Sequence, residues 1–311
     1  MKTTVVYHSA DFDGLFCREI ARKFLPGAEL IGWNFGDAPL QIPSGPLYVM
    51  DLPLDRPFGF DYSKAGNERG PQHPAGLIWI DHHKSSIDSH PKDIPGYRID
   101  GVAACRLAWQ WFSMVDGNTR EGYVGHGCPA IRPAGVLPMI HDYKRREVNE
   151  PLAVRLAGEY DIWDHRGDGD LEFQYGLKTE EPDINWKRLL NGDENYTASI
   201  VSSGRSSMRY AKNMDAFWLA EAGHVIEWEG LKFLAKNSVE RGSGILDSKD
   251  VPETGHDALM LYGYRGKYWT VSMYHAKHRK DIDLSIIASK NGGGGHRGAC
   301  GFTCKRLPFM S

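Results

Sequence analysis

The chain has 311 residues, of which 41% are hydrophobic, and a formal net charge of -3 at pH 7. This length supports a sizeable core and favours two domains over one, while the charge provides no overall basic footprint for long nucleic acid. The five cysteines are too sparse for a disulfide framework, no apolar stretch approaches membrane length and no signal-peptide pattern opens the sequence, so we expect a soluble, cytoplasmic protein without a membrane partner.

Short apolar runs dominate the first part of the chain. Residues 3–7 are β-branched and aromatic, as in strands, and residues 15–24 carry apolar side chains at helical spacing. The runs at 47–51 and 76–83 are almost wholly apolar until each reaches an aspartate. Such runs are typical of strands buried on both faces of a parallel sheet. The carboxyl ends of these strands meet at one edge, where open α/β sheets bind ligands.

The later pattern predicts a second, smaller domain. The predicted elements are, in chain order, a helix at 103–112, a glycine- and proline-rich loop at 116–138, a helix at 151–160, a mostly helical segment at 182–223, a hairpin of strands at 258–264 and 268–274, and a helix at 284–290 before the glycines at 292–295. We therefore predict an α/β protein with an N-terminal, mostly parallel sheet flanked by helices and a smaller C-terminal α/β domain. The predicted boundaries are 1–185, a connecting helical segment at 186–223, and 224–311.

The polar residues at the predicted strand ends are hard metal ligands. They are His8, Asp11 and Asp13 after the first strand, Asp51 after the second, and Asp81, His82 and His83 after the third. Oxygen and imidazole donors without thiolates suit manganese, magnesium and similar cations better than structural zinc. Because Asp11 and Asp13 alternate along the chain, both can face one site. A carboxylate such as Asp51 can bridge two ions about 3.5 to 4 Å apart, the separation of two-metal phosphoryl hydrolases.

Each motif taken alone also has a purely structural explanation. Aspartate and glycine near residue 13 are common in turns and helix N-caps. The triplet at 81–83 is also compatible with a solvated loop, and Asp51 with an ordinary strand end. A metal site accounts for all of these features together, which is why the sequence favours a metal-dependent hydrolase.

Taken in order, these motifs resemble those of the DHH phosphoesterases, which include RecJ-type exonucleases, nanoRNases, cyclic dinucleotide phosphodiesterases and family II pyrophosphatases. The resemblance covers nearly the whole chain. It extends to Asp161 in Glu-Tyr-Asp-Ile-Trp, which is similar to the family's fourth motif, and to residues 173–177, which are similar to oligoribonuclease-like members. Residues 292–302 are similar to the glycine-rich signature of the family's C-terminal substrate-binding subdomain. The nanoRNase-like branch is therefore the expected relative.

The resemblance implies a role for each matching position. It implies one ion held by His8, Asp11 and Asp51. It implies a second ion held by Asp13, Asp51, His82 and Asp161. It implies that Asp81, His82 and His83 are catalytic, with Asp81 orienting the histidines and His83 facing the scissile phosphate. It implies that substrate is bound by His83, Gly293, Gly294, Gly295, His296, Arg297 and Arg279.

Two departures from the family pattern affect these expectations. His8 and Asp11 are separated by two residues, whereas several branches use other spacings, which bears on the geometry of the first ion. The strand before the glycines also lacks the arginine that grips substrate phosphate in many members. That role then shifts to Lys277, His278 or Arg279.

The leading functional hypothesis is a phosphodiesterase that uses two divalent cations, manganese first and magnesium or cobalt as substitutes. Its expected substrates are short oligonucleotides or small nucleotides, cyclic ones included, and its products are mononucleotides. Hydrolysis of pyrophosphate or polyphosphate on the same scaffold is the enzymatic alternative, and a non-catalytic nucleotide-binding regulator is the third interpretation. Long nucleic acid is not an expected partner, and a homodimer is compatible with the sequence.

Overall fold

The computed structural model describes residues 2–59, 76–114, 136–238, 255–276 and 278–310. The chain divides into two compact units, Met1–Arg205 and Ser206–Ser311. This division falls inside the predicted connecting segment at 186–223; the three-part boundaries themselves stay a prediction. The predicted loop at 116–138 and the candidate anchor Lys277 lie largely or wholly outside the described residues.

The described part of the first unit is built on a five-stranded parallel sheet. Its strands are β1 (Thr4–His8), β2 (Glu29–Trp33), β3 (Leu47–Met50), β4 (Leu77–Asp81) and β5 (Gly96–Arg98), in the spatial order β2-β1-β3-β4-β5. Every pairing between these strands is parallel. The predicted α/β class with a parallel N-terminal sheet is confirmed, whereas β2 and β5 were not individually predicted.

Helices lie between the strands of this sheet in sequence and also follow its last strand. They are α1 (Phe12–Phe24), α2 (Asp55–Phe58), α3 (Lys84–Ser89), α4 (Ala104–Met114), α5 (Ile140–Arg145), α6 (Leu152–Asp161), α7 (Asp170–Glu180), α8 (Trp186–Leu190) and α9 (Glu194–Ala222), whose last part belongs to the second unit. The helices predicted at 15–24, 103–112 and 151–160 are confirmed with small shifts of their ends. None of the helices in the described ranges combines the length and apolarity needed to cross a membrane.

Apolar side chains cover both faces of the sheet, because successive strand residues point to opposite sides. Val5 and Tyr7 join the larger core with α1, α4 and α6, while Val6 joins a second core with Val49 and Trp79. The register pairs Tyr7 with Met50 and Met50 with Ile80. The residues that follow these three residues of β1, β3 and β4 are His8, Asp51 and Asp81. They therefore lie at the same edge of the sheet.

The second unit contains a six-stranded mixed sheet. Its strands are β6 (His224–Trp228), β7 (Leu231–Asn237), β8 (Ala258–Tyr264), β9 (Trp269–His275), β10 (Gly294–His296) and β11 (Ala299–Cys304), in the spatial order β10-β11-β9-β8-β7-β6. Only the pairing of β7 with β8 is parallel among the described strands. The predicted hairpin of β8 and β9 is confirmed, as is a short helix before the glycines, α10 (Ser285–Lys290).

Part of the predicted glycine-rich loop is a strand. Gly294 to His296 pair with residues 299–301 at the edge of the second sheet. A Cβ atom at Gly293 would lie 2.0 Å from the carbonyl oxygen of Gly301, and one at Gly295 would lie 2.7 Å from Cys300 Cα. The missing side chains therefore let β10 approach β11, a packing role that composition alone did not reveal.

Candidate metal centre

The first donor group forms where β1 ends and α1 begins. Asp11 caps α1, and its Oδ1 accepts a hydrogen bond of 3.1 Å from the Gly14 amide. A Cβ atom at Gly14 would lie only 1.7 Å from the carbonyl oxygen of His8, so glycine is needed for the helix to start this close to the strand. The result is a short contact, 3.0 Å, between His8 Nδ1 and Asp11 Oδ2.

Asp51 lies between two groups of donors. It follows β3 directly, is buried, and has a left-handed φ of 58°, a conformation that costs a non-glycine residue about 1–2 kcal/mol. Its Oδ2 is 3.5 Å from His8 Nδ1, and its Oδ1 is 3.4 Å from His82 Nε2. One buried carboxylate thus contacts the histidines at the ends of two different strands.

Asp13 is held by the N-terminus of a helix that is distant in sequence. Its two carboxylate oxygens accept hydrogen bonds of 2.9 Å from the Ala104 amide and 2.7 Å from the Cys105 amide, in the first turn of α4. Helix N-termini carry unpaired amides and a partial positive charge, so they stabilise a buried carboxylate. Both Asp13 oxygens are thereby fixed, and Oδ2 lies 3.7 Å from His82 Nε2.

Asp161 completes this second group from a distant part of the sequence. It is the last residue of α6, and its Oδ2 lies 3.3 Å from His82 Nε2. The imidazole nitrogen of His82 is therefore within 4 Å of carboxylate oxygens of Asp13, Asp51 and Asp161. A buried histidine surrounded by carboxylates at this range is an arrangement typical of metal sites.

Asp81 positions the two histidines that follow it. It is fully buried, and its Oδ1 accepts hydrogen bonds from the His82 amide at 2.8 Å and the His83 amide at 3.3 Å. The same oxygen is 2.8 Å from His83 Nδ1. Three contacts on one carboxylate oxygen fix both the local backbone and the ring of His83.

Burial and mutual repulsion shift the carboxylate pKa values of this centre. Burial, reinforced by neighbouring carboxylates, raises the pKa of Asp13 and of Asp161 well above the usual range. Burial also acts to raise the pKa of Asp51, but hydrogen bonds from His8 and His82 outweigh it and hold that pKa below its ordinary value. Burial lowers the pKa of His8, yet Asp11 and Asp51 raise it to about 11. The carboxylates of this centre therefore repel one another when ionised, and divalent cations are suited to offset that repulsion.

The pKa of His83 is shifted in the same direction as that of His8. Burial lowers it, but Asp81, Asp51 and Asp161 together raise it to about 10. The pKa of His82 is also raised, because Asp51 and Asp13 outweigh the effect of burial. Both rings of the triplet are thus drawn towards the cationic form by the carboxylates around them.

The donor atoms fall into groups of the right size to hold an ion. His8, Asp11 and Asp51 form one group, and Asp13, Asp51 and His82 form another, with the ligand atoms in each lying within 4.8 Å of one another. The two groups share Asp51. This shared carboxylate, together with donor sets made only of oxygen and imidazole, matches the chemistry of a two-ion centre for hard cations.

The predicted substrate-binding residues of the second unit lie around β10 and β11. Gly294 is exposed, with open space where a side chain would be. The guanidinium of Arg297 donates to the carbonyl oxygens of residues 281 and 282 at 2.5 and 3.2 Å. Arg279 forms ion pairs with Asp257 and Asp281. Both arginines therefore already have partners within the unit.

Several residues that shape the metal centre were not found from the sequence. The α4 amides that hold Asp13 have no side-chain signal and lie 91 and 92 positions away. Gly158, inside α6, lets the Arg106 side chain pack against the helix, since a Cβ there would lie 2.5 Å from Arg106 Cδ. Arg106 is buried and pairs with Glu150. A glycine within a helical pattern was the only available signal of this contact.

The fold and the donor groups define a parallel α/β protein with a candidate two-ion centre at the carboxyl edge of its sheet. No protein-family model matches the sequence, and no curated protein matches it. Matches among solved structures include the pGpG-specific phosphodiesterase PggH from Vibrio cholerae, which is 12% identical with a TM-score of 0.42; the match covers 98% of this chain and 94% of that one.

Two further matched structures have similar scores. The DHH domain of a member of a family of ribosomal proteins is 11% identical, covering 97% of this chain and 82% of that one, with a TM-score of 0.48. Exonuclease RecJ bound to manganese is 14% identical, covering 97% and 86%, with a TM-score of 0.45.

Proposed function

We propose that the chain is a DHH phosphoesterase of the nanoRNase-like type, a two-metal phosphodiesterase that hydrolyses short oligonucleotides or small nucleotides to mononucleotides. The observation that carries this proposal is the position of Asp51. It is buried, and its two oxygens contact His8 on one side and His82 on the other. A carboxylate shared by two donor groups is the arrangement that holds a pair of ions for phosphoryl hydrolysis.

Six residues are assigned as metal ligands on this basis, with Asp51 shared by both ions. The first ion would be held by His8, Asp11 and Asp51, and the second by Asp13, Asp51, His82 and Asp161. The oxygen and imidazole donors suit manganese, with magnesium or cobalt as substitutes. When bound, the ions would act as Lewis acids at the phosphoryl group and lower the pKa of a water that serves as nucleophile.

Residues 81–83 at the end of β4 contain the protein group that we assign to the substrate phosphate. The contact between Asp81 Oδ1 and His83 Nδ1 keeps a proton on that nitrogen and fixes the ring. We assign the other ring nitrogen of His83, Nε2, to a phosphate oxygen, where it stabilises the growing negative charge when it carries a proton. Asp81 acts by positioning, because its own oxygens remain buried.

Substrate contacts in the second unit are assigned to residues 293–297. The exposed backbone of Gly294 and Gly295 can approach a phosphate or a terminal nucleotide without side-chain obstruction, and His296 and Arg297 lie beside it. Arg279 would join these contacts by exchanging its carboxylate partners for a substrate phosphate. The proposal places the enzyme in the cytoplasm, as a monomer or homodimer, acting on small substrates rather than on long nucleic acid.

The test is product analysis with manganese on dinucleotides, cyclic dinucleotides, pyrophosphate and polyphosphate. Mononucleotide release that is lost in Asp13→Asn and retained in Asp88→Asn supports the proposal. Asp88 is a suitable control because it is an exposed carboxylate of the same unit, paired with Lys84 at 3.1 Å. Hydrolysis of pyrophosphate or polyphosphate alone would indicate a pyrophosphatase or polyphosphatase. Metal-dependent nucleotide binding without product would indicate a non-catalytic regulator.

A further inference from the structure

Two exposed aromatic residues are close to proposed metal ligands, Phe35 in space and Trp163 in sequence. Phe35 is 53% exposed and Trp163 is 41% exposed, whereas most aromatic residues of the described first unit are buried or half-buried. Single exposed apolar side chains are common on protein surfaces. Exposure alone therefore indicates no function.

Phe35 is fixed against a proposed metal ligand. Its ring centroid lies 5.7 Å from that of His8 at an angle of 73°, and 5.7 Å from that of the buried Trp33 at 70°. Edge-to-face contacts of this kind are a favourable arrangement of aromatic rings. Half of its surface nevertheless remains open to solvent, directly beside the first donor group.

The turn that carries Phe35 is tied to the same strand end. Asn34 Oδ1 accepts hydrogen bonds from the amide of Ser9 at 3.2 Å and from its hydroxyl at 3.1 Å. The Asn34 amide in turn donates to Asp37 Oδ2 at 2.8 Å, which closes the turn. Ser9 immediately follows His8, so the position of the Phe35 ring is coupled to the metal centre through backbone and ring contacts.

Trp163 occupies a backbone position that usually favours glycine. After α6 ends, the Trp163 amide donates to the Tyr160 carbonyl at 3.1 Å, and the Asp164 amide donates to the Glu159 carbonyl at 2.9 Å. This pair of bonds is the Schellman motif, with Trp163 at its left-handed position and φ at 60°. Glycine adopts this φ without strain, whereas tryptophan does not. An exposed tryptophan at a strained position is a candidate for a role of its side chain.

Trp163 is close in sequence to a member of the second donor group. Asp161, two residues earlier, contributes the carboxylate that lies 3.3 Å from His82. The indole is supported by the ring of His165, with centroids 5.6 Å apart, and His165 is itself bound to the buried Asp170. The first donor group therefore has a supported, partly exposed ring in contact with His8, and the second has one two residues after its ligand Asp161.

We propose that Phe35 and Trp163 are specificity-determining residues that stack on the bases of the substrate. This inference rests on the proposed function, since it assigns the rings to the bases on either side of the phosphodiester. Base–aromatic stacking does not depend on the identity of the base, because every base has a π face. It favours substrates that carry aromatic rings over inorganic phosphate chains, which leave both side chains without a contact.

The experiment compares Phe35→Leu and Trp163→Gly with the wild-type full-length protein in manganese. The substrates are a dinucleotide and the same phosphodiester with its bases replaced by hydrogen. Stacking predicts a rise of about tenfold in KM for the dinucleotide in each variant, within the range found for aromatic–base contacts, with kcat changed by less than about twofold. It predicts no change in either parameter for the abasic substrate, and recovery of the dinucleotide KM in Phe35→Trp.

Tyr268→Leu is the matched control, because Tyr268 is also 41% exposed but sits in the turn between β8 and β9. A role of Phe35 in supporting His8 would instead lower kcat and manganese affinity for both substrates. Manganese titration therefore separates that role from stacking. Equal losses on the two substrates, or an unchanged dinucleotide KM in both variants, would overturn the inference.

A binding measurement makes the test independent of turnover. Titration of adenosine monophosphate into the manganese-loaded protein should give a Kd that rises about tenfold in at least one ring variant and is unchanged in Tyr268→Leu. If the wild type hydrolyses dinucleotides and both ring variants have the same KM and Kd as the wild type, only the stacking role is refuted. Wild-type protein that neither hydrolyses a dinucleotide nor binds the mononucleotide refutes the proposed function as well.

Discussion

Replacing Asp161 with asparagine should stabilise the metal-free protein and weaken its response to metal. The oxygens of Asp161 and Asp51 lie 3.3 and 3.4 Å from the same His82 nitrogen. By addition they are no more than about 7 Å apart, and at an effective dielectric constant of about 20 two negative charges at that distance repel by about 2 kcal/mol. Asparagine removes this repulsion while keeping nearly the same shape.

The direction of the pKa shift of Asp161 determines how the stabilisation by Asp161→Asn depends on pH. Burial and the nearby carboxylates raise the folded-state pKa of Asp161 above that of the unfolded chain. The penalty for ionising it is therefore absent below about pH 4, the ordinary pKa of aspartate, and grows as the pH rises above that value. The advantage of the Asp161→Asn variant in chelator should accordingly be larger at about pH 8 than at about pH 5.

Thermal unfolding followed by circular dichroism measures both effects. In chelator at about pH 8, a gain of about 1–2 kcal/mol corresponds to a rise in Tm of roughly 2–8 °C for a unit of this size. Saturating manganese at about 100 times Kd should stabilise the wild type by about 2.7 kcal/mol. The variant, having lost one carboxylate ligand, should gain distinctly less at the same concentration.

Asp164→Asn is a control variant that should lower the stability of the metal-free protein, whereas Asp161→Asn should raise it. Asp164 pairs with Arg166, and this hydrogen-bonded partner lowers the pKa of its carboxyl group. Its removal should cost a fraction of a kcal/mol, as for exposed ion pairs, and leave the manganese response intact. A lower Tm for Asp161→Asn in chelator, together with an unchanged manganese response, would show that Asp161 is not part of the charge cluster.

Three further substitutions probe the support of the centre. Gly14→Ala should destabilise the protein by several kcal/mol and abolish activity, because the new methyl group would meet the His8 carbonyl oxygen at 1.7 Å; a wild-type denaturation midpoint would contradict this. Asp81→Asn should lower kcat by about 10- to 100-fold in manganese, and unchanged turnover would remove its positioning role. Glu150→Gln should cost about 3–5 kcal/mol in urea unfolding, because it leaves the buried Arg106 charge uncompensated; a loss below about 1 kcal/mol would show that the charge is solvated.

The sequence was informative where chemistry and periodicity coincide. An apolar run followed by an acid placed Asp51 and Asp81 at strand ends, and parallel pairing brings them to the same edge as His8. Local pattern does not contain the contacts that fix Asp13, because the α4 amides that bind it are main-chain groups distant in sequence. Any residue type except proline offers such amides, so no motif marks them.

The glycines at 292–295 show a second limit of sequence reasoning. Their composition suggested an open phosphate-binding loop, which stays a prediction, and the close approach of two backbones is a second reason for glycine at positions 293 and 295. Glycine serves both purposes through the same property, the absence of a side chain. Exposure is likewise invisible in sequence: Phe35 and Phe16 are the same residue type, yet one is half in solvent and the other is fully buried.

The way Asp13 is held also determines when the centre can form during synthesis. A nascent chain that ends before Ala104 already contains His8, Asp11 and Asp51, but no amides to fix Asp13 and no Asp161. The donor group proposed for the first ion is thus complete in sequence long before the group proposed for the second. The two proposed positions differ in this respect although they share Asp51. An ion at the second position would require α4 and α6 to have docked, so loading of both positions would mark the docking of these helices.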